Sequence, residues 1–303
     1  MKTVGLIGLG AMGSGMAASL RRAGHSVHVF DVRRDVAKTF AQEGGTAHDT
    51  LASLGAACDV VVSVVVNAAQ TESVLFGDGT TPGNMTGCAA SMKPGSVFVM
   101  CSTVDPNWSV ALESRLEAMG LRYVDAPISG GAAKAASGQM TMMTAGKPEA
   151  YALAEPFLNA MAAKVYKLGD SAGAGSKVKI INQLLAGVHI AAAAEAMALG
   201  LREGVDPAAL YEVITNSAGN SWMFENRMAH VLAADYTPLS AVDIFVKDLG
   251  IVLDMARASK FPLPLSSTAH QMFMQASTAG FAKEDDSAVI KIFPGIELPK
   301  APG

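Results

Sequence analysis

The sequence predicts an α/β domain built on a doubly wound, mostly parallel sheet, followed by an all-α C-terminal domain, with a long helix joining the two. Three observations carry that prediction. An apolar run, Thr3-Val4-Gly5-Leu6-Ile7, leads straight into the glycine-rich turn Gly8-Leu9-Gly10-Ala11-Met12-Gly13, which opens a helix. Short apolar runs then alternate with helical stretches up to residue 168, as a parallel sheet covered on both faces requires. From Gly169 the alternation stops, and the rest reads as helices separated by short turns. The expected domains are 1–168 and 169–303.

The first strand is 3–7. Its turn has the spacing G-x-G-x-x-G. Gly8 permits the tight bend, Gly10 lets a pyrophosphate approach the backbone, and Gly13 lets the helix pack close to the strand. The helix runs from about Ala11 to Ala23, stops at Gly24, and turns its free N–H groups toward the phosphates. The second strand, 26–30, ends at Asp31, whose carboxylate can accept hydrogen bonds from both ribose hydroxyls. Strand, turn, helix and acid together form a dinucleotide-binding fingerprint, with Gly8, Gly10, Ala11, Met12, Gly13 and Asp31 as contacts. A 2′-phosphate beside Asp31 meets like-charge repulsion, which favours NAD over NADP; Arg33 and Arg34 read as solvated arginines at a helix start.

Further strands follow at 59–65, a β-branched run suited to burial on both faces, then at 96–101 after the Pro94-Gly95 turn, and at 122–125. Asn67, Ser102 and Thr103, Asp125, and Ser129 are polar groups offered at the C-terminal ends of strands, the edge where ligands sit in an open parallel sheet. Residues 138–146 read as one more strand, before a helix start at Lys147-Pro148-Glu149. Gly169 to Gly175 reads as a flexible breaker ahead of a helix from about 176 to 203. Gly204 ends that helix, and Asp206-Pro207 begins the next as N-cap and first residue. Turns are expected near 216–220, 235–240, 260–264 and 280–285, and the proline-containing tail from Phe293 to Gly303 is expected to be loose.

Bulk composition narrows the function. A net charge of −4 without a basic cluster argues against a nucleic-acid partner. Three scattered cysteines, Cys58, Cys88 and Cys101, give neither a disulfide framework nor a zinc site, and no metal is expected. The stretch from Ile180 to Leu201 has the length of a membrane span. It also carries Asn182, Gln183, His189 and Glu195, so a buried protein helix is the expected reading, with no membrane association. The apolar N-terminus is accounted for by the strand and glycine turn rather than by a leader, and a cytoplasmic location is expected.

Three clusters could do chemistry. Ser129-Gly130-Gly131 offers a hydroxyl and backbone N–H groups that can hold a carboxylate, or is a plain glycine turn. Lys179 and Asn182 are three apart on one helix face among Val178, Ile180, Ile181, Leu184 and Leu185. A lysine there either snorkels to water or works at a pocket, whereas Lys177, on another face, reads as solvated. Lys247-Asp248 reads as a solvated charge pair.

Taken together and in this order, Gly5-Leu6-Ile7-Gly8-Leu9-Gly10-Ala11-Met12-Gly13, Asp125-Ala126-Pro127-Ile128-Ser129-Gly130-Gly131, the Gly173-to-Asn182 run and Lys247-Asp248-Leu249-Gly250 resemble the β-hydroxyacid dehydrogenase family over nearly the whole chain. That family includes 3-hydroxyisobutyrate dehydrogenase and tartronate semialdehyde reductase. The resemblance implies a Rossmann domain with bound NAD, a helical domain after it, and a homo-oligomer (dimer or tetramer) that oxidises a small hydroxy acid. It implies Lys179 as the catalytic lysine, Ser129, Gly130, Gly131 and Asn182 as substrate contacts, and Thr103 and Lys247 beside the nicotinamide, with Val66 and Asn67 also at the cofactor. Gln183 departs from the pattern, since many members carry a second asparagine there. The segments 66–77, 188–197 and 220–227 look most like the branch of the family that oxidises L-threonate.

Overall fold

The computed structural model describes residues 2–79 and 86–300. Among them, β1 (Thr3–Ile7), β2 (Ser26–Phe30), β3 (Thr46–Ala47), β4 (Val60–Ser63), β5 (Val97–Met100) and β6 (Arg122–Asp125) form one parallel sheet in the order β3-β2-β1-β4-β5-β6. Ile7 pairs with Phe30 on one side and Ser63 on the other. The C-terminal ends of three strands are thereby level at the point where strand order reverses, between β1 and β4. That is where ligands bind in open α/β sheets.

The helices of this unit are α1 (Gly13–Arg22), α2 (Arg34–Gln42), α3 (Leu51–Ala57), α4 (Ala68–Phe76), α5 (Pro106–Ala118), α6 (Gly131–Ser137) and α7 (Pro148–Met161). The two-residue period of the strands divides the core in two. Val60 and Val62 of β4 join Val97 and Val99 of β5 in a cluster with Met16 and Leu20 of α1. Val61, Phe98 and Met100 join Leu54 of α3 and Leu112 and Leu116 of α5 in the other. Every residue of β4 is fully buried, which is why its sequence is an unbroken apolar run rather than an alternation.

The strand expected at 138–146 is present as β8 (Met140–Thr144), but it does not extend the main sheet. It pairs antiparallel with β7 (Ile128–Ser129) and parallel with β9 (Ala162–Lys167) in a separate three-stranded sheet. Asp125 at the end of β6 forms an isolated antiparallel bridge with Ala145, just after β8.

The second unit holds most of α8 (Ala174–Arg202), then α9 (Pro207–Thr215), α10 (Trp222–Ala233), α11 (Val242–Ala258) and α12 (Pro264–Ala276). The two compact units are Met1–Lys179 and Ile180–Gly303, so the division falls inside α8. Asp206 caps α9 by accepting from the Ala209 amide at 2.9 Å, with Pro207 as first helical residue. Ile190, Ala194 and Met197 of α8 pack with Met228 and Val231 of α10, Phe245 and Leu249 of α11, and Phe273 of α12. Half of the most apolar stretch of α8 is buried, as in a core helix.

The tail is less loose than its prolines suggest. Phe293, Ile296 and Leu298 pack on the helical core, and the Arg202 guanidinium donates to the Gly295 carbonyl at 2.9 Å. Residues 301–303 lie outside the described residues.

Candidate active site

The glycine turn is shaped by contacts that tolerate no side chain in one place and leave room for a ligand in another. A Cβ on Gly13 would lie 1.7 Å from the Gly8 carbonyl oxygen, so α1 can start this close to β1 only with glycine there. A Cβ on Gly10 would meet nothing within 4 Å, which leaves open backbone where a pyrophosphate must approach. No side chain caps the N-terminus of α1, and Ala11 is exposed beside it. Asp31 is buried at the end of β2, and its Oδ2 accepts from the Leu9 amide at 2.6 Å. Its Oδ1 accepts from the Arg33 amide at 2.8 Å and the Arg33 guanidinium at 3.2 Å. Burial alone would raise the Asp31 carboxyl. The hydrogen bonds from Arg33 and Leu9 outweigh that and hold it below the usual carboxylate range. The site therefore keeps a fixed negative charge beside the turn. An open phosphate cradle, an uncapped helix start and an ionised acid fit a dinucleotide.

The next two strand ends are tied together. Asn67 caps α4 through Oδ1, accepting from the Gln70 amide at 2.8 Å, and the Gln70 side chain accepts from the Val66 amide at 2.8 Å. The Ser102 hydroxyl donates to the Val65 carbonyl at 2.7 Å and lies 3.0 Å from the Thr71 hydroxyl. Ser102, fully buried, thus locks the loop bearing Thr103 against the loop bearing Val66 and Asn67.

Asp125 does something that its position at a strand end did not reveal. Its Oδ2 accepts from the amides of Gly173 and Ser176, each at 2.9 Å, and its Oδ1 accepts from the Ser176 hydroxyl at 2.7 Å. It therefore caps the start of α8 from a segment distant in sequence. The Ala172 amide also donates to Glu113 at 3.1 Å. The 169–175 segment is consequently pinned rather than a free breaker, because the Ala172 and Gly173 amides donate to two buried carboxylates. Burial raises both the Asp125 and the Glu113 carboxyls, against those hydrogen bonds. Lys179 follows one turn after Ser176 and is 7% exposed, whereas Lys177 is exposed. Four residues after Asp125, Ser129 is half-buried, and Gly130 and Gly131 adopt φ of 139° and 76°, which a side chain disfavours, at a helix start without a side-chain cap.

In the second unit, Asn182 and Lys247 meet the same buried acid by different routes. Lys247 Nζ donates to Asp248 Oδ1 at 2.5 Å, Gln183 Nε2 donates to Asp248 Oδ2 at 2.6 Å, and Asn182 Nδ2 donates to Gln183 Oε1 at 3.1 Å. Asp248 is 1% exposed. The expected solvated pair is thus a partly buried one: Asp248 lies with Phe245, Leu249 and Val252 on the inward face of α11, and Lys247 is half-buried beside it. In the sequence Gln183 stands out only as a departure from the family pattern, because its partner Asp248 lies 65 residues away.

Fold and turn together define a dinucleotide-binding oxidoreductase. A family model described as the NAD binding domain of 6-phosphogluconate dehydrogenase matches residues 3–169. One described as NAD-binding of NADP-dependent 3-hydroxyisobutyrate dehydrogenase matches residues 173–293. The chain is 67% identical to L-threonate dehydrogenase of Cupriavidus necator, over 98% of each chain. It is 52% identical to L-threonate dehydrogenase of Escherichia coli K12, over 98% of this chain and 97% of that one. A crystal structure described as 3-hydroxyisobutyrate dehydrogenase from Salmonella typhimurium superposes with a TM-score of 0.91 at 51% identity, covering 97% of this chain and all of that one. The chain belongs to the β-hydroxyacid dehydrogenase family, NAD-dependent oxidoreductases that act on CH–OH groups.

Proposed function

We propose that the protein oxidises L-threonate at C2 to 2-dehydro-L-erythronate, with Lys179 exchanging the hydroxyl proton. The observation that carries the substrate is 67% identity, over 98% of each chain, to an L-threonate dehydrogenase. NAD, when bound, supplies the hydride acceptor. Gly8, Gly10, Ala11, Met12, Gly13 and Asp31 hold the dinucleotide, Val66, Asn67 and Thr103 border it from the neighbouring strand ends, and Lys247 contacts the nicotinamide. The Asp31 carboxylate favours a free 2′-hydroxyl over a 2′-phosphate. Ser129 and the Gly130 and Gly131 amides bind the substrate carboxylate, and Asn182 orients the substrate.

A free lysine titrates near pH 10.4, so one that takes a proton near neutral pH must be desolvated or lie near positive charge. The burial of Lys179, 7% exposed, supports this reading. In oxidation its neutral amine takes the C2 hydroxyl proton as hydride leaves carbon; in reduction its ammonium returns the proton to the forming alkoxide.

Residues 1–168 serve as the NAD-binding domain and 169–303 as the substrate and oligomerisation domain of a soluble, cytoplasmic enzyme. Ile181, Leu185 and Leu199 of α8 are 54%, 52% and 62% exposed. An apolar stripe of this kind supports a homo-oligomer, and light scattering tests it; a monomer rejects it. The assay that tests the function uses NAD with L-threonate and other short hydroxy acids, and NADH with tartronate semialdehyde. Turnover of L-threonate above tartronate semialdehyde and 3-hydroxyisobutyrate chemistry is expected. The reverse order contradicts the substrate, and cofactor binding without turnover of any of them contradicts the enzyme.

A further inference from the structure

We propose that Asp248 is a positioning residue that sets the polarity of two amides and anchors Lys247, with Gln183 carrying its influence to Asn182. The inference deepens the function proposed above and rests on it. Asp248 is 1% exposed, and its two oxygens face donors: Oδ1 accepts from the Lys247 ammonium at 2.5 Å, which leaves Oδ2 as the acceptor for Gln183. Gln183 must therefore turn its NH₂ toward Asp248, where it donates at 2.6 Å. Its oxygen then faces Asn182 and accepts from Nδ2 at 3.1 Å. That fixes Asn182 in turn and leaves its Oδ1 as the group offered to a donor. A neutral or apolar residue at position 248 imposes no such order, because either amide could flip without cost.

The consequence is a substrate preference. An acceptor at Asn182 recognises a hydroxyl, and the reacting hydroxyl gives its proton to Lys179. Oδ1 is therefore matched to a second hydroxyl of the substrate, the feature that separates a polyhydroxy acid from a simple 2-hydroxy acid. A site built to accept such a hydroxyl discriminates against acids that lack it. One carboxylate thus organises a substrate contact and a cofactor contact, both within the second unit.

The test compares three variants of the full-length enzyme by steady-state kinetics with L-threonate and by NADH fluorescence titration. Asp248→Asn is expected to raise both KM for L-threonate and Kd for NADH by about tenfold or more, the loss of a buried charge-assisted bond. Gln183→Leu should raise KM to a similar extent with NADH binding unchanged, and Lys247→Met should weaken NADH binding. A merely structural residue does not split its effects along these two lines. Folded Asp248→Asn with both constants at wild-type values overturns the inference, and so does Gln183→Leu with an unchanged KM. If Asp248→Asn does not fold, the other two variants decide the two halves separately. A wild-type enzyme without L-threonate turnover defeats the proposed function, while NADH titration of Asp248→Asn still decides the cofactor half.

Discussion

The dinucleotide turn of the first unit and the Asp248 network of the second are built from different materials. The turn is mostly backbone: open amides, glycines and one carboxylate within 24 residues of sequence. The network is made of side chains, and its central contact spans 65 residues. A site made of backbone must write its requirements into local spacing, because only glycine satisfies a 1.7 Å approach such as that at Gly13. A side-chain network writes nothing locally. Asp248 reads as one half of a surface ion pair until the packing of α11 shows that it faces inward.

The sharpest way to probe this contrast is at the other buried charge cluster of the second unit, where Arg227 donates to Asp286. Burial pushes the Asp286 carboxyl up to about 7, against the opposing pull of Arg227. In the unfolded chain a carboxyl releases its proton near pH 4. The contribution of Asp286 to stability is therefore full below that and falls as pH rises toward 7 and beyond. Arg227→Met leaves an unpaired buried carboxylate and is expected to cost about 3–5 kcal/mol at pH 8, and less at pH 5 where Asp286 is protonated. Denaturant unfolding at the two pH values checks this; an equal loss at both contradicts it.

Gly13→Ala strikes the backbone site instead. The added methyl collides with the Gly8 carbonyl, and about 1–3 kcal/mol of stability should be lost with weaker NADH binding, read by unfolding and titration. Wild-type affinity and stability would show that the turn relaxes freely. Asp31→Asn is expected to shift the NAD to NADP ratio of kcat/KM toward NADP by about tenfold, equivalent to roughly 1.4 kcal/mol. An unchanged ratio removes Asp31 from cofactor choice. The smallest effect concerns the thiols. Burial raises all three cysteines, Cys58 and Cys88 to about 12, so the native protein should not react with a thiol reagent until it is unfolded.

The same contrast explains what sequence could reveal. β1, β4 and β5 were legible as apolar runs that end in glycine or polar groups, and β2 and β6 as shorter, mixed runs that end at an aspartate. β3 and β7 have two residues each, too few for any periodicity, and β9 is an exposed edge rich in lysine. Apolar neighbours left Lys179 even between snorkelling and a pocket, and the family resemblance singled it out; it is 7% exposed, whereas Lys177 is exposed. The cap that Asp125 places on α8 was not legible, because it joins residues 48 and 51 positions apart.

The proposed chemistry depends on the amine of Lys179, and its most direct test is Lys179→Ala, assayed for L-threonate oxidation alongside NADH titration. A fall in kcat of about 10²–10⁴-fold is expected, the range that a positioned acid–base group contributes, with NADH binding retained. Turnover at the wild-type rate would contradict it.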